Sequence, residues 1–193
     1  MTGVVLCGGQ STRMGTDKGL LKLQAGTWAQ TAVDKMAELP LPVVLSVNEE
    51  QYNSYSTVFT IEQLVKDNET INVRGPLRGV LSVHDQYPDA DLFVLACDMP
   101  LMETAILKQL FRCYEMQTGD AFVYTDDGVY EPLCGIYTAK GLSHIRGLQK
   151  TNQLLKHSMK YMLEHVNTFS IPLTTDQKKY FRNFNAHAEL NGL

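Results

Sequence analysis

The sequence lacks an excess of positive charge, and it lacks paired cysteines. Its 17 Lys and Arg residues stand against 21 Asp and Glu residues, which gives a formal net charge of −4. Proteins that bind nucleic acids by neutralising phosphates usually carry a basic excess, so we expect no nucleic-acid partner. The four cysteines are widely spaced and form no CxxC pair, which argues against a zinc site and against a disulfide framework. This cysteine usage favours a reducing compartment, the cytoplasm.

Long apolar runs are also absent. No charged leader precedes an apolar segment of the signal-peptide type, and no run approaches the length of a membrane span. We therefore expect no membrane segment and no membrane partner. With 193 residues, of which 44% are hydrophobic and 20% charged, the composition is that of an ordinary globular protein. This length predicts one domain over residues 1–193.

A glycine-rich loop follows the first apolar run. Val4 and Val5 are β-branched and favour a buried strand, which Gly8 and Gly9 then end. The residues after the glycines supply hydroxyl groups and two cations: Ser11, Thr12, Arg13 and Lys18. Backbone N–H groups and fixed cations both stabilise phosphate oxygens, so the loop predicts a polyphosphate site. The pattern is neither a Walker A loop nor a G-x-G-x-x-G dinucleotide fingerprint.

The same loop carries a specific resemblance. It resembles the signature of the MobA-like nucleotidyltransferases, the family of molybdenum cofactor guanylyltransferase, in the segment Leu6-Cys7-Gly8-Gly9-x-Ser11-x-Arg13-Met14-Gly15-x-Asp17-Lys18. The match continues over nearly the whole chain, in the motifs Val65-Lys66-Asp67, Gly75-Pro76-Leu77-x-Gly79, Ala96-Cys97-Asp98-Met99-Pro100, Glu131-Pro132-Leu133-Cys134-Gly135-Ile136-Tyr137 and Phe181-x-Asn183-x-Asn185. Two positions depart from the family pattern: Cys7 stands where alanine is more frequent, and Ala186-His187 replaces a Thr-Pro pair.

Apolar periodicity predicts alternating strands and helices. Buried strands are expected over residues 3–7, 43–47 and 92–97, and shorter strands over 58–61, 64–67, 121–124, 130–137 and 168–171. Helices are expected over residues 28–39, with Thr27 as the N-cap, and over residues 103–116, 139–148 and 153–165. The segment 75–79 is expected to lead into a helix that ends near residue 86, and a short helix is expected after residue 185. Pro132 would be unusual inside a central strand, so we expect a sheet edge or a bulge there.

The alternation predicts an α/β fold, a three-layer α/β/α sandwich whose Rossmann-like sheet is mostly parallel. The resemblance implies the nucleotide-diphospho-sugar transferase type of this fold. Ligands of such sheets bind beyond the carboxyl ends of the strands, an edge that Gly8, Asn48, Asp67 and Asp98 would share. Asp98 follows the most continuous apolar run and is the candidate Mg²⁺ ligand, with capping of the following turn as the alternative. Asp67, taken alone, is as well explained by an Asx turn.

The resemblance implies the roles of further residues. It assigns the nucleotide site to Leu6, Cys7, Gly8, Lys18, Asn48, Asp67 and Asp98, and catalysis to Arg13, Lys18 and Asp98, with Mg²⁺ as the cofactor on Asp98. The implied reaction transfers GMP from GTP to molybdopterin carrying molybdenum and releases pyrophosphate. Molybdoenzyme chaperones and cofactor-insertion proteins are candidate partners. Because the acceptor phosphate is already anionic, catalysis would reduce to positioning and charge neutralisation.

Three alternatives stay open at this point. The first is cytidylyl transfer to the same pterin, and the second is nucleotidyl transfer to a sugar phosphate or another phosphorylated small molecule. The third is a GTP-binding regulatory or adaptor protein without turnover. Physical reasoning from the sequence does not choose between guanine and cytosine.

Overall fold

The computed structural model describes residues 1–8, 17–23 and 26–184. The glycine loop beyond Gly8, which contains the candidate catalytic residue Arg13, lies outside the described residues. The helix expected after residue 185 lies outside them as well. The predictions made for these segments therefore stay predictions.

Strands and helices alternate along the described chain. The strands are β1 (Thr2–Leu6), β2 (Lys22–Leu23), β3 (Gly26–Thr27), β4 (Val43–Val47), β5 (Leu64–Lys66), β6 (Leu92–Ala96), β7 (Ala121–Asp126), β8 (Val129–Tyr137) and β9 (Thr168–Pro172). The α-helices are α1 (Trp28–Ala37), α2 (Glu49–Tyr55), α3 (Pro76–Gln86), α4 (Thr104–Met116), α5 (Ala139–Lys150) and α6 (Met159–Leu163). Short 3-10 turns cover Lys18–Leu20, Ile61–Gln63 and Lys178–Phe181.

One sheet organises these elements. In the part of the chain that the structure describes, seven strands pair in the order β5-β4-β1-β6-β8-β7-β9, and β2 pairs with β3 separately. The pairs β5–β4, β4–β1, β1–β6 and β7–β9 are parallel, whereas β8 is antiparallel to both of its neighbours. The predicted mostly parallel sheet is therefore confirmed.

Helices cover both faces of the sheet. Side chains alternate along a strand, so Val5 and Leu95 pack toward α1 and α4, whereas Val4 and Val94 pack toward α3. All five residues of β6 are buried, as expected for a central strand between two helical layers. The predicted three-layer sandwich is confirmed. Among the described helices, none has the length and apolar character that crossing a bilayer requires.

Local chemistry explains where α1 begins. The Thr27 hydroxyl oxygen accepts a hydrogen bond from the Gln30 backbone N–H at 3.1 Å, as predicted for an N-cap. Ala29, Val33 and Met36 then recur at helical spacing and are buried against the sheet. The helix ends at Ala37, two residues before the predicted end.

Three local predictions need correction. The strand expected over residues 58–61 is absent, because Val58 and Ile61 are exposed and lie in a turn and a 3-10 turn. The polar segment after Asn48 is the helix α2, which was not predicted. The helix expected over residues 153–165 is only α6, and residues 153–158 are not helical.

A bulge interrupts the pairing of β7 with β8. Val123 pairs with Gly135, whereas the next residue, Tyr124, pairs with Glu131. The residues left over on β8 include Pro132, which cannot donate a backbone hydrogen bond to the ladder. Of the two alternatives predicted for this proline, a sheet edge or a bulge, the structure shows the bulge.

Candidate active site

Four parallel strands bring the candidate residues to one edge of the sheet. Gly8, Asn48, Asp67 and Asp98 follow the carboxyl ends of β1, β4, β5 and β6. Backbone hydrogen bonds continue the ladder past the strand ends, from the Asp67 N–H to the Val47 carbonyl at 2.8 Å and from the Cys97 N–H to the Leu6 carbonyl at 3.1 Å. The shared edge predicted from the order of the elements is therefore present.

A cleft opens on the β1–β4–β5 side of this edge. Its volume is about 780 Å³, within the size range of small-molecule sites. The described residues that line it are Gly8, Asn48, Glu49, Glu50, Asp67, Glu69, Arg74, Gly75 and Arg78. Sequence reasoning missed the two arginines, although Arg78 occupies the variable position of the motif that begins at Gly75. They are the cations of a lining that otherwise carries four carboxylates.

Asp67 lines the cleft and is held in place by a hydrogen bond. Its Oδ1 accepts a hydrogen bond from the Ser46 hydroxyl at 2.9 Å, and a Cβ placed on Gly8 would lie 3.5 Å from its Oδ2. Burial raises the pKa of Asp67, while the Ser46 hydrogen bond and the charge of Arg78 lower it in part. The carboxylate is thus fixed beside the start of the glycine loop, which favours a role beyond an Asx turn.

Gly79 allows α3 to approach this carboxylate. A Cβ at Gly79 would lie 2.4 Å from the Ser46 Oγ and 3.4 Å from the Asp67 Oδ1. The first distance is shorter than any real contact between such atoms, so a larger residue would displace the Ser46–Asp67 pair. The glycine of the motif is therefore explained by the packing of the site.

Asn48 caps the helix α2. Its Oδ1 accepts a hydrogen bond from the Gln51 N–H at 2.9 Å, and the Gln51 Oε1 accepts one from the Asn48 N–H at 3.0 Å. This reciprocal capping box uses the carbonyl oxygen of the Asn48 amide. The NH₂ group is thus the part of this side chain that would contact a ligand in the cleft.

Leu6 and Cys7 are buried at the end of β1. Their backbone oxygens accept hydrogen bonds, that of Leu6 from the Cys97 N–H and that of Cys7 from the Gln51 Nε2 at 2.9 Å. Both side chains are buried and these carbonyl groups already accept hydrogen bonds inside the protein, so the role of Leu6 and Cys7 in nucleotide binding stays a prediction.

Asp98 and Lys18 form a second group at the same edge, apart from the described lining of the cleft. Asp98 lies directly beyond β6, next to β1, and its Oδ1 is buried without a hydrogen-bond partner in the described structure. Burial raises the pKa of Asp98, and the nearby positive charge of Lys18 lowers it in part. A buried carboxylate oxygen without a donor is costly, and a cation offsets that cost.

The backbone after Asp98 is fixed from two sides. The Lys35 ammonium group donates a hydrogen bond to the Pro100 carbonyl at 2.7 Å, and the Phe184 N–H donates one to the Asp98 carbonyl at 2.9 Å. Phe184 is buried, so the last described residues of the chain lie beside Asp98. This contact places the end of the described chain beside Asp98, and the Asn183 side chain is exposed.

The acidic residues at this edge do not form a preassembled metal cage. Within residues 1–8, 17–23 and 26–184, no three His, Cys, Asp or Glu side chains lie close enough together to hold a metal ion. Mg²⁺ is commonly bound through one or two carboxylates together with substrate phosphates and water. Asp98, with its unpartnered oxygen, fits that mode of binding.

Comparisons with known proteins agree with this architecture. The family model of the MobA-like NTP transferase domain matches residues 3–167. A protein of Geobacillus sp. (strain WCH70) named "Probable molybdenum cofactor guanylyltransferase" is 27% identical over 195 residues, covering 100% of this chain and 97% of its own. A protein of the same name from Flavobacterium johnsoniae is 26% identical over 193 residues, covering 100% and 96%.

Solved structures share the fold. The crystal structure of molybdopterin-guanine dinucleotide biosynthesis protein A from Archaeoglobus fulgidus superposes with a TM-score of 0.76 at 20% identity, covering 99% of this chain and 95% of the other. A nucleotidyl transferase from Methanothermobacter thermautotroptrophicus superposes with a TM-score of 0.70 at 15% identity, covering 98% and 94%. At these identities the likeness establishes the fold. The family match over residues 3–167 and the named relatives that match the whole chain identify the chain as a nucleotidyltransferase that belongs to the family of MobA-like NTP transferase domains.

Proposed function

We propose that this protein transfers GMP from GTP to molybdopterin carrying molybdenum, releasing pyrophosphate and forming the guanine dinucleotide cofactor. The names of the relatives from Geobacillus and Flavobacterium johnsoniae, which match the whole chain, support this reaction. The structural observation that carries the proposal is the pairing of the Lys18 charge with the buried, unpartnered oxygen of Asp98 at the carboxyl edge of the sheet.

The nucleotide base would occupy the cleft beside Gly8. Guanine presents an exocyclic amino group as a hydrogen-bond donor, and the Asp67 carboxylate beside Gly8 is an acceptor. The Asn48 amide can add a donor from the neighbouring strand end. Arg74 and Arg78 offset part of the negative charge of the four carboxylates in the cleft lining, which reduces the repulsion of an anionic nucleotide.

The phosphates would extend from the cleft toward Asp98 and Lys18. Asp98 would hold Mg²⁺, and the bound ion supplies positive charge that offsets the charge of the phosphates during transfer. Lys18 would donate hydrogen bonds to phosphate oxygens from the same side. Arg13, in the loop outside the described residues, would add a second cation.

The reaction itself needs little covalent chemistry from the protein. An oxygen of the acceptor's terminal phosphate attacks the α-phosphorus of GTP, and the bond from that phosphorus to the β-phosphate oxygen breaks as pyrophosphate leaves. The attacking oxygen is already anionic, so no side chain has to remove a proton from it. The site has to align the two phosphates and neutralise charge, which are the tasks that its cations and glycine loop suit.

A nucleotide panel tests the proposal. With Mg²⁺ present, GTP should raise the melting temperature more than CTP, ATP or UTP at equal concentration. At 100 times its Kd, GTP should stabilise the folded protein by about 2.7 kcal/mol. Lys18→Ala should reduce this shift, whereas the control Lys108→Ala, which removes an exposed ion pair with Glu38, should not. A preference for CTP would move the assignment to cytidylyl transfer. Absence of pyrophosphate release with every nucleotide would favour the adaptor alternative.

A further inference from the structure

A partly buried hydrogen-bond network surrounds Asp17, the residue before Lys18. The Asp17 Oδ1 accepts hydrogen bonds from the Gly19 N–H at 2.8 Å and from the Tyr55 hydroxyl at 2.8 Å. Its Oδ2 accepts a further hydrogen bond from the Gln51 Nε2. Asp17 thereby caps the 3-10 turn Lys18–Leu20 and ties the backbone of that turn to the helix α2.

Gln51 links this carboxylate to the rest of the site. Its Nε2 also donates to the carbonyl of Cys7 at 2.9 Å, directly before Gly8, and its Oε1 accepts from the Asn48 N–H. Gln51 is only 7% exposed although it is polar, so its hydrogen bonds have to be satisfied inside the protein. One amide group therefore joins the start of the glycine loop, the cap of α2 and the residue before Lys18.

Tyr55 completes the network from the end of α2. The side chain is fully buried, and burial raises the pKa of its hydroxyl far above the usual range, an effect that the Asp17 charge reinforces. The hydroxyl therefore remains a proton donor at every working pH. A Cβ placed on Gly19 would lie 2.0 Å from the Tyr55 oxygen, so glycine is required there for the approach.

We propose that Asp17, Gln51 and Tyr55 are positioning residues that hold Lys18 opposite Asp98 and couple its placement to Asn48 in the cleft. This inference rests on the proposed nucleotidyl transfer, in which Lys18 contacts the phosphates. None of the three side chains has to touch the nucleotide. Their carboxylate, amide and hydroxyl groups fix the backbone from which Lys18 extends.

Tyr55→Phe is the sharpest test because it removes one oxygen and keeps the ring, which stacks against Phe59 at 6.0 Å. The matched control is Tyr124→Phe, which removes an equally buried hydroxyl that donates to the Ile106 carbonyl at 2.9 Å in the core. Loss of a hydrogen bond to a charged acceptor predicts a fall in kcat of about tenfold for Tyr55→Phe, with the KM for GTP little changed. Tyr124→Phe should keep the wild-type kcat even if it melts earlier.

A double-mutant cycle separates positioning from general destabilisation. If Tyr55 acts through Lys18, Tyr55→Phe should cost no further activity in a Lys18→Ala background, whereas independent effects would multiply. An undiminished tenfold loss in that background, or equal activity of the Tyr55 and Tyr124 variants, would overturn the proposal.

A second readout does not depend on turnover. In the protein without nucleotide, the rate at which an amine-specific acetylating reagent labels Lys18, followed by mass spectrometry, should rise in Tyr55→Phe and stay unchanged in Tyr124→Phe. Unchanged labelling of Lys18 in Tyr55→Phe contradicts the positioning role. If wild-type protein releases no pyrophosphate, the proposed function fails, and the labelling result still decides whether the network positions Lys18.

Discussion

The substitution Asp98→Asn distinguishes two possible roles of the Asp98 side chain, binding a metal ion and capping the turn that follows it. Asparagine has nearly the same shape and retains an oxygen that can accept a turn hydrogen bond, so a capping role predicts near-normal stability and activity. In the structure the Asp98 Oδ1 is buried and has no donor among the described residues. Removing the charge without changing the shape therefore relieves a cost in the metal-free protein and removes the group proposed to bind Mg²⁺.

The expected size follows from this burial. A buried polar group without a partner costs about 1–3 kcal/mol, and the nearby Lys18 charge offsets part of that cost. We therefore expect a gain of about 1 kcal/mol at pH 7, which corresponds to a melting temperature higher by about 2–4 °C. Turnover should fall by about 10² to 10³, as when one charge-stabilising group is removed from an active site.

The raised pKa of Asp98 in the folded state determines how its contribution to folding stability changes with pH. A carboxyl group of this kind favours folding below its unfolded pKa, near 3.9, and this contribution is lost as the pH rises through the folded pKa. The stability advantage of Asp98→Asn should therefore grow from about pH 4 upward.

Asp85→Asn is the control, because this substitution should change the stability at pH 7 in the opposite direction to Asp98→Asn. Asp85 accepts two hydrogen bonds from the Arg146 guanidinium, at 2.9 and 2.8 Å, which lower its pKa. Its contribution to stability is present above the unfolded pKa and is lost as the pH falls through the folded one, so this variant should be less stable at pH 7 and fully active. Pyrophosphate release and melting curves measured for both variants between pH 4 and 8 provide the assay. Near-wild-type pyrophosphate release by Asp98→Asn would refute the metal-binding role.

Three further predictions concern neighbouring residues of the site. Lys18→Ala should keep the melting temperature within about 2 °C and lower the rate of pyrophosphate release by about 10² to 10³, and unchanged release would assign Lys18 to the solvated surface. Asp67→Asn should keep the fold, because its oxygen can still accept from the Ser46 hydroxyl, and should shrink the difference between the thermal shifts with GTP and with ATP. Gly79→Ala should cost about 1–3 kcal/mol in urea unfolding, because its Cβ would lie 2.4 Å from the Ser46 Oγ, and wild-type stability would contradict the packing described here.

The elements that carry the site were predictable because their patterns are local. The apolar runs of β1, β4 and β6 predict strands that are buried on both faces, and Thr27 is a typical N-cap residue that predicts the start of α1. The residues that end these strands then have to meet at the carboxyl edge of a parallel sheet. The positions of Gly8, Asn48, Asp67 and Asp98 at one edge therefore follow from the order of the strands alone.

The network around Asp17 was not predictable, because it depends on an element without a strong local signal. The segment of α2 is polar, and nothing in its sequence indicates that Gln51 points into the protein. Likewise, the apolar residues Val58 and Ile61 suggested a strand, but both side chains are exposed in the folded chain. In both cases tertiary packing, and not local preference, decides the outcome.

Transfer of the nucleotide to its acceptor is the most direct test of the central claim. The purified protein is incubated with Mg²⁺, GTP labelled at the α-phosphate and molybdopterin carrying molybdenum. We predict that the label appears in a guanine dinucleotide product and that an equal amount of pyrophosphate is released, with wild-type protein but not with Asp98→Asn. Label transferred only from CTP, or label that stays in GTP while wild-type protein binds it, would contradict the account.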